Sequence, residues 1–140
     1  MPRRSLAALA IALLLLGGCA TDRRQNDLRK TVDAYGNALR WDGLAAGFTF
    51  LSPHQRHAHP LSRFDLARYA QVSVATYEVQ GVLPSPPDRY RQVVAIELIN
   101  RNTQVARTVL DRQTWHWSRK DKHWWLVSGL PDISEGGRVP

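Results

Sequence analysis

Apolar residues in the first third of the chain recur at helical spacing. Leu28, Val32, Tyr35 and Leu39 stand alternately four and three positions apart, which places them in one stripe along a helix. The helix is expected to begin near Arg23, because Asp22 and Gln25 resemble a capping box, and to end near Trp41. Such a stripe predicts that the rest of the chain folds over this helix.

Shorter helical segments are expected to follow. Asp42-Gly43 interrupts the first helix with turn-forming residues, and a segment rich in Ala and Phe covers residues 44–51. Ser52-Pro53 is expected to end that segment, and residues 54–60 are expected to form a polar loop. Ser62, with Asp65 three positions later, predicts a capped helix over residues 62–70.

From Gln71 onwards the pattern changes to that of β-strands. Residues 71–82 are rich in Val, Thr and Tyr, and the parity of the apolar positions switches between Val74 and Tyr77, which predicts a bulge. Further strands are expected at 92–99, 105–117 and 123–128, joined by short turns that make neighbours antiparallel. The sequence therefore predicts an α+β fold, with N-terminal helices packed on a curved, mainly antiparallel sheet of about four strands.

The first nineteen residues have the features of a bacterial lipoprotein leader. Arg3 and Arg4 supply positive charge, and residues 6–16 form an apolar run that is too short to span a bilayer. The following Gly17-Gly18-Cys19 resembles a lipobox, with cleavage expected between Gly18 and Cys19. The resemblance implies three acyl chains on Cys19, palmitate among them, which make a stable anchor. The alternatives are an ordinary secreted protein with an odd thiol and a twin-arginine leader.

This leader predicts how the chain is divided. We expect a signal peptide over residues 1–18, a lipidated tether over 19–27, one folded domain over 28–131 and a flexible tail over 132–140. Ala20 follows the cysteine where Asp would favour retention in the inner membrane. The expected location is therefore the outer membrane, facing the periplasm.

Composition narrows the range of partners. The net charge is +7, but the basic residues are scattered and often stand beside acids, as Arg112 does beside Asp111. That pattern predicts a solvated surface, and nucleic acid is not an expected partner because no binding motif is present. Cys19 is the only cysteine, so an internal disulfide is excluded.

The folded part resembles a known family. The opening of nuclear transport factor 2-like domains is similar to the run Val32, Tyr35, Ala38, Leu39, Trp41, Asp42, Leu44, Ala45, Phe48 and Leu51. The strands with Trp115-His116-Trp117 and Trp124-Trp125-Leu126 resemble the closing hairpin of that family. The resemblance covers about residues 28–129. It implies a cone-shaped α+β fold with a pocket between sheet and helix, in a family of small-molecule binders, isomerase-like and hydratase-like enzymes and domains without chemistry.

The implied pocket has six candidate lining residues, which are Tyr35, Tyr77, Asp111, Gln113, Trp115 and Trp117. The last four share one strand face because they alternate along the chain. Asp111 and Gln113 would supply polar contacts among aromatic side chains. The alternative is that the tryptophans only fasten the hairpin by cross-strand pairing.

Catalytic and metal-binding motifs are not evident in the sequence. His54, His57 and His59 stand close together, but no cysteine or nearby acid completes a zinc site, so neither a metal nor a cofactor is expected. His116 is expected on the strand face opposite Asp111, which argues against a dyad. Asp111 or Glu97 remains the candidate general base if the domain is an enzyme.

The favoured function is that of an outer-membrane-anchored periplasmic lipoprotein. Its domain is expected to be non-catalytic and to bind a small apolar ligand or another protein of the envelope. One alternative is an isomerase-like or dehydratase-like enzyme that uses a pocket carboxylate. Another is a scaffold that docks through the sheet face, and a homodimer through that face is a further option.

Overall fold

The N-terminal helix begins earlier than the sequence predicts. The structure, a computed structural model, describes the backbone of residues 3–134 and the side chains of residues 18–134. Helix α1 spans Arg3–Trp41, whereas the expected start was near Arg23. The residues before Arg23 are rich in Leu and Ala, which favour helix. For most of the predicted signal peptide, side chains lie outside the described residues.

The chain divides into two compact units, Met1–Val32 and Asp33–Pro140. The first unit contains most of α1. In it Leu28 is buried, the Cys19 side chain is exposed, and the Thr31 hydroxyl donates a hydrogen bond to the carbonyl of Asp27. No helix in the described part of the chain has a stretch that is both long and apolar enough to cross a membrane.

The second unit contains the end of α1 and every other element. A 3₁₀ helix, η1, spans Leu44–Phe50, where a short helical segment was predicted. Helix α2 spans Pro53–Ala58, so the prediction of a polar loop there is wrong. Pro53 occupies the first turn, where its missing N–H costs nothing, and Ser52 caps the helix by accepting a hydrogen bond from the N–H of Gln55.

Helix α3 spans Arg63–Ala70 and confirms the predicted cap. The Ser62 hydroxyl accepts a hydrogen bond from the N–H of Asp65 over 3.1 Å. In return the Asp65 carboxylate accepts one from the N–H of Ser62 over 3.0 Å. Together the two bonds satisfy two N–H groups that the first turn of a helix leaves unpaired.

Four antiparallel strands form one sheet in the order β1-β2-β3-β4. The strands are β1 (Val72–Leu83), β2 (Arg89–Asn100), β3 (Ala106–Ser118) and β4 (His123–Leu126). A register shift between Val74 and Thr76 confirms the predicted bulge, and a second lies between Val79 and Gly81. With the helices before it, this meander confirms the predicted α+β class.

The end of α1 packs on the inner face of the sheet. Tyr35 and Leu39 are fully buried, as the apolar stripe predicts, whereas Val32 is only half-buried. Gly36 lies against β1, since a Cβ atom added there would stand 2.9 Å from Cε1 of Tyr77. Helix and sheet are therefore in close contact at Gly36, and the core of the second unit lies around this point.

The C-terminal residues remain packed beyond the expected end of the domain. Ile133 is buried, and the Arg107 guanidinium donates hydrogen bonds to the carbonyls of Ile133 and Ser134. The first residues of the predicted flexible tail are therefore held against β3 by Arg107. Residues 135–140 lie outside the described part of the chain.

Candidate functional site

Several polar side chains, some buried and some half-buried, lie together on the inner face of the sheet in the second unit. We call them the polar cluster, and its members are Tyr77, Tyr90, Gln92, Asp111 and Gln113. The antiparallel register places Gln92 opposite Gln113, so β2 and β3 bring the two amides together. Polar groups in such a place need hydrogen-bond partners, and the cluster supplies them internally.

Gln113 is the centre of the polar cluster. Its amide nitrogen donates to Oδ2 of Asp111 and to the hydroxyl of Tyr77, each over 2.8 Å. Its amide oxygen accepts from Nε2 of Gln92 over 2.8 Å and from Nε1 of Trp115 over 3.3 Å. Both donors and the acceptor of one amide are therefore used, which fixes the orientation of the side chain.

Gln92 and Tyr90 were not among the predicted site residues. Gln92 is 2% exposed, and its amide oxygen accepts a hydrogen bond from the Tyr90 hydroxyl over 3.1 Å. A signal for Gln92 existed in the sequence, because it has the same parity on β2 as the buried Val94 and Ile96. The weak alternation of this central strand hid which of its two faces is buried.

Asp111 is a carboxyl group in the core. It is 8% exposed, and loss of water raises its pKa from 3.8 to about 6, although the hydrogen bond from Gln113 acts in the opposite direction. A carboxyl group with this pKa is present in both its protonated and its ionised form just below neutral pH. Asp111 can therefore act as an acceptor when ionised and as a donor when protonated.

The hydroxyl of Tyr35 is buried without a hydrogen-bond partner among the described residues. The ring packs edge-on against Trp115, with the ring centroids 5.3 Å apart, and against Phe50 and Tyr77. Burial is the largest cause of the raised pKa of Tyr35, and the charge of Asp111 is the next. An unpaired donor next to a buried carboxyl group is an arrangement that a bound molecule could complete.

Trp117 lies in a different environment from the other predicted pocket residues. It faces Trp124 across the β3–β4 hairpin, with the ring centroids 5.6 Å apart. The structure thus brings together five of the six candidates around Gln113 and places the sixth in a tryptophan pair. The cross-strand pairing applies to Trp117, whereas Trp115 is fully buried against Tyr35 and its role in a pocket stays a prediction.

Comparison with known proteins gives no match. No protein-family model matches this chain, and neither a curated protein nor a solved structure matches it. The chemistry of the site must therefore supply the functional inference.

The other candidate groups lie away from the polar cluster. His116 is 3.5 Å from the carboxylate of Asp88, on the strand face opposite Asp111. Glu97 is half-buried and pairs with Thr108 on that same outer face. Within the residues whose side chains are described, no group of three or more His, Cys, Asp or Glu residues could hold a metal ion.

Proposed function

We propose that this protein is a lipid-anchored protein of the bacterial envelope whose domain binds a small, mainly apolar ligand at the polar cluster. The lipobox around Cys19 supports the anchor, and Ala20 supports an outer-membrane location facing the periplasm. The α+β fold with Tyr35 and Leu39 beneath the sheet is consistent with a nuclear transport factor 2-like domain. Ligand binding without chemistry remains the favoured role.

The unpaired Tyr35 hydroxyl is the observation on which the binding proposal rests. A buried polar group without a partner costs about 1–3 kcal/mol, so the site favours any molecule that pairs with it. A carbonyl or hydroxyl oxygen on the ligand would accept a hydrogen bond from the Tyr35 hydroxyl. The rings of Phe50 and Trp115 would contact the apolar remainder of the ligand.

Binding can be tested on the full chain in a non-ionic detergent by nuclear magnetic resonance. Cyclohexanone supplies the oxygen, and methylcyclohexane supplies a similar shape without it. We expect cyclohexanone to shift the signals of Tyr35 and Gln113, and Tyr35→Phe to weaken its binding about tenfold, the equivalent of one hydrogen bond. Thr49→Val, which removes an exposed hydroxyl on η1, is the control and should change nothing. Equal binding by both probes, or no shift at the cluster, would contradict the proposal.

The anchor has its own test. Cys19→Ser removes the thiol that accepts diacylglycerol, so we expect the variant to lose palmitate labelling and to leave the detergent phase on partitioning. Gly18→Ala keeps a small residue at the expected cleavage position and should retain both properties. A Cys19→Ser protein that stays in the detergent phase would contradict lipid anchoring without affecting the ligand proposal.

Asp111 favours one second candidate, an isomerase-like or dehydratase-like enzyme. A general base is most effective when its pKa is close to the working pH, and that of Asp111 is raised to about 6. In this reaction the Asp111 carboxylate takes a proton from the carbon next to a carbonyl group. The Tyr35 hydroxyl donates a hydrogen bond to the oxygen that becomes negative.

The same probe distinguishes this enzyme from a binding protein. An enzyme should accelerate the exchange of the α-protons of cyclohexanone for deuterium in heavy water, and Asp111→Asn should abolish that acceleration. A protein that binds cyclohexanone but leaves its exchange rate at the solvent value is a binding protein only.

A further inference from the structure

A concave site lies among the helices of the second unit. Its volume is about 640 Å³, and it opens between η1, α2, α3 and residues 128–130 after β4. Small-molecule sites commonly enclose about 300–1,000 Å³, so the cavity can hold a ligand with an aromatic ring. Its described lining includes neither Tyr35 nor any member of the polar cluster, so an inference about it does not depend on the function proposed above.

Hydrogen bonds hold the walls of this cavity in place. The side-chain amide of Gln55 on α2 donates to the carbonyl of Val127 over 2.9 Å, and the N–H of Ser52 donates to the carbonyl of Leu126 over 3.0 Å. Leu130 packs on η1, since a Cβ atom added at Gly47 would lie 2.8 Å from its Cδ2 atom. The cavity is therefore formed before any ligand arrives.

The charge that lines the cavity is negative. Asp65 is its acidic residue, and the described residues that line it include His59 but no lysine or arginine. Hydrogen bonds from the Ser62 hydroxyl and N–H lower the pKa of Asp65, so the carboxylate is ionised at neutral pH. Both of those bonds end on Oδ2. The nearby Arg68 also lowers the pKa of Asp65 through its positive charge, while its guanidinium lies over the ring of Phe64.

Aromatic and aliphatic side chains form part of the lining, beside the polar residues Gln55, His59 and Ser128. Tyr69 stands one helical turn after Asp65 on α3, and Phe48 lines the opposite wall on η1. An organic cation is attracted both by a carboxylate and by the faces of aromatic rings. Leu51 and Leu130 add apolar surface for the rest of such a molecule.

We propose that this cavity binds a small organic cation with an apolar body, whose ammonium group lies against the carboxylate of Asp65. The apolar body occupies the space between Phe48 and Leu130. An anion is disfavoured there because Asp65 would repel it, and a neutral molecule lacks the attraction between the ammonium group and the carboxylate.

The test uses two probes of nearly equal shape, 2-phenylethylamine and 2-phenylethanol, titrated into the full chain in a non-ionic detergent. The amine is positively charged at neutral pH and the alcohol is not. We expect the amine to bind at least about tenfold more tightly than the alcohol, with shifts of the amide signals of Asp65 and Tyr69. Asp65→Asn should reduce the affinity for the amine to that for the alcohol.

Two further variants keep the test decisive. Asp121→Asn is the matched control, because Asp121 also accepts a hydrogen bond from a serine three residues earlier, Ser118, but lies outside the cavity. It should leave the affinity for the amine unchanged. Ala58→Phe fills the cavity at an exposed helix position and should abolish binding of both probes, even if Asp65→Asn fails to fold. Equal affinities for amine and alcohol, an effect of Asp121→Asn as large as that of Asp65→Asn, or unchanged binding to Ala58→Phe would overturn the proposal.

Discussion

Gln113 donates a hydrogen bond from its side-chain amide to Oδ2 of Asp111 over 2.8 Å, two residues away on the same face of β3. Both side chains are buried, and no cation lies within ion-pair distance of this carboxylate in the described part of the chain. The carboxylate is thus held by a neutral donor. A single hydrogen bond does not offset the loss of water, which is why the pKa of Asp111 is raised.

The raised pKa predicts an unusual pH dependence of stability. The folded protein binds the Asp111 proton more tightly, with a pKa of about 6, than the unfolded chain does, with a pKa of 3.8. The stabilisation from the bound Asp111 proton is fully present below the pKa of the unfolded state. It is lost as the pH rises through the pKa of the folded state. We expect Asp111→Asn to be more stable than wild type by on the order of 3 kcal/mol above about pH 7. The difference should vanish near pH 4, as measured by urea unfolding across this pH range.

Asp121 provides the opposite sign as a control. A hydrogen bond from Ser118 lowers its pKa in the folded state, so it stabilises the fold above the unfolded pKa and loses that effect as the pH falls. Asp121→Asn should therefore not gain stability at neutral pH. If the stability difference between Asp111→Asn and wild type is independent of pH, Asp111 does not titrate with a raised pKa.

Replacement of Gln113 should be costly because four side chains depend on it. Gln113→Met keeps the length of the side chain but removes its hydrogen bonds, and it leaves the groups on Asp111, Tyr77 and Gln92 without partners. We expect a loss of about 3 kcal/mol in the free energy of unfolding, measured by urea denaturation. Gln80→Met, at an exposed position on β1, should change stability by less than about 0.5 kcal/mol. Similar losses in both variants would mean that the polar cluster contributes little.

Local patterns predicted much of the fold. Ser62 and Asp65 stand at the spacing that a capping box needs, so the cap of α3 could be predicted. The alternation of apolar positions changes after Val74, and this change indicates the extra residue of a bulge. Ser52-Pro53 follows the end of η1, as predicted, but the same proline also begins α2, because proline is favoured in the first turn of a helix. The hydrogen bond from the N–H of Gln55 to the Ser52 hydroxyl marks Ser52 as the cap of this new helix.

The part of the site that lies on a single strand, β3, could be predicted from the sequence. Alternation along β3 identified the face that carries Asp111, Gln113 and Trp115. Gln92 could not be predicted as a site residue because its role depends on the register between β2 and β3, which a single sequence does not specify. Trp117 shares the predicted face, but β4 brings Trp124 against it, and that contact also depends on strand pairing.

The contact between Gly36 and Tyr77 predicts an exception to helix propensity. An alanine in place of a glycine inside a helix normally stabilises it by about 0.5–1 kcal/mol. At Gly36 the added Cβ would stand 2.9 Å from Cε1 of Tyr77, and that ring is held by its hydrogen bond with Gln113. We expect Gly36→Ala to lose about 1–3 kcal/mol in a thermal unfolding measurement.

Gly81 offers the matched control for that substitution. A Cβ atom added at Gly81 would meet no described atom within 4 Å, so Gly81→Ala should be neutral or slightly stabilising. An increase in melting temperature for Gly36→Ala would indicate that Tyr77 can move away, and the close contact between α1 and β1 would then not constrain the polar cluster.

Two tyrosines of the core, Tyr35 and Tyr77, should respond differently to the loss of a hydroxyl group. Tyr77→Phe removes a hydrogen bond to Gln113 and leaves an amide donor unpaired, which should cost about 1–2 kcal/mol. Tyr35→Phe removes a hydroxyl without a partner, so the ligand-free protein should keep its stability or gain about 1 kcal/mol. Urea unfolding of the two variants measures the contrast. If Tyr35→Phe is destabilised as much as Tyr77→Phe, a water molecule or another group already pairs with the Tyr35 hydroxyl, and the case for a ligand at this position is lost.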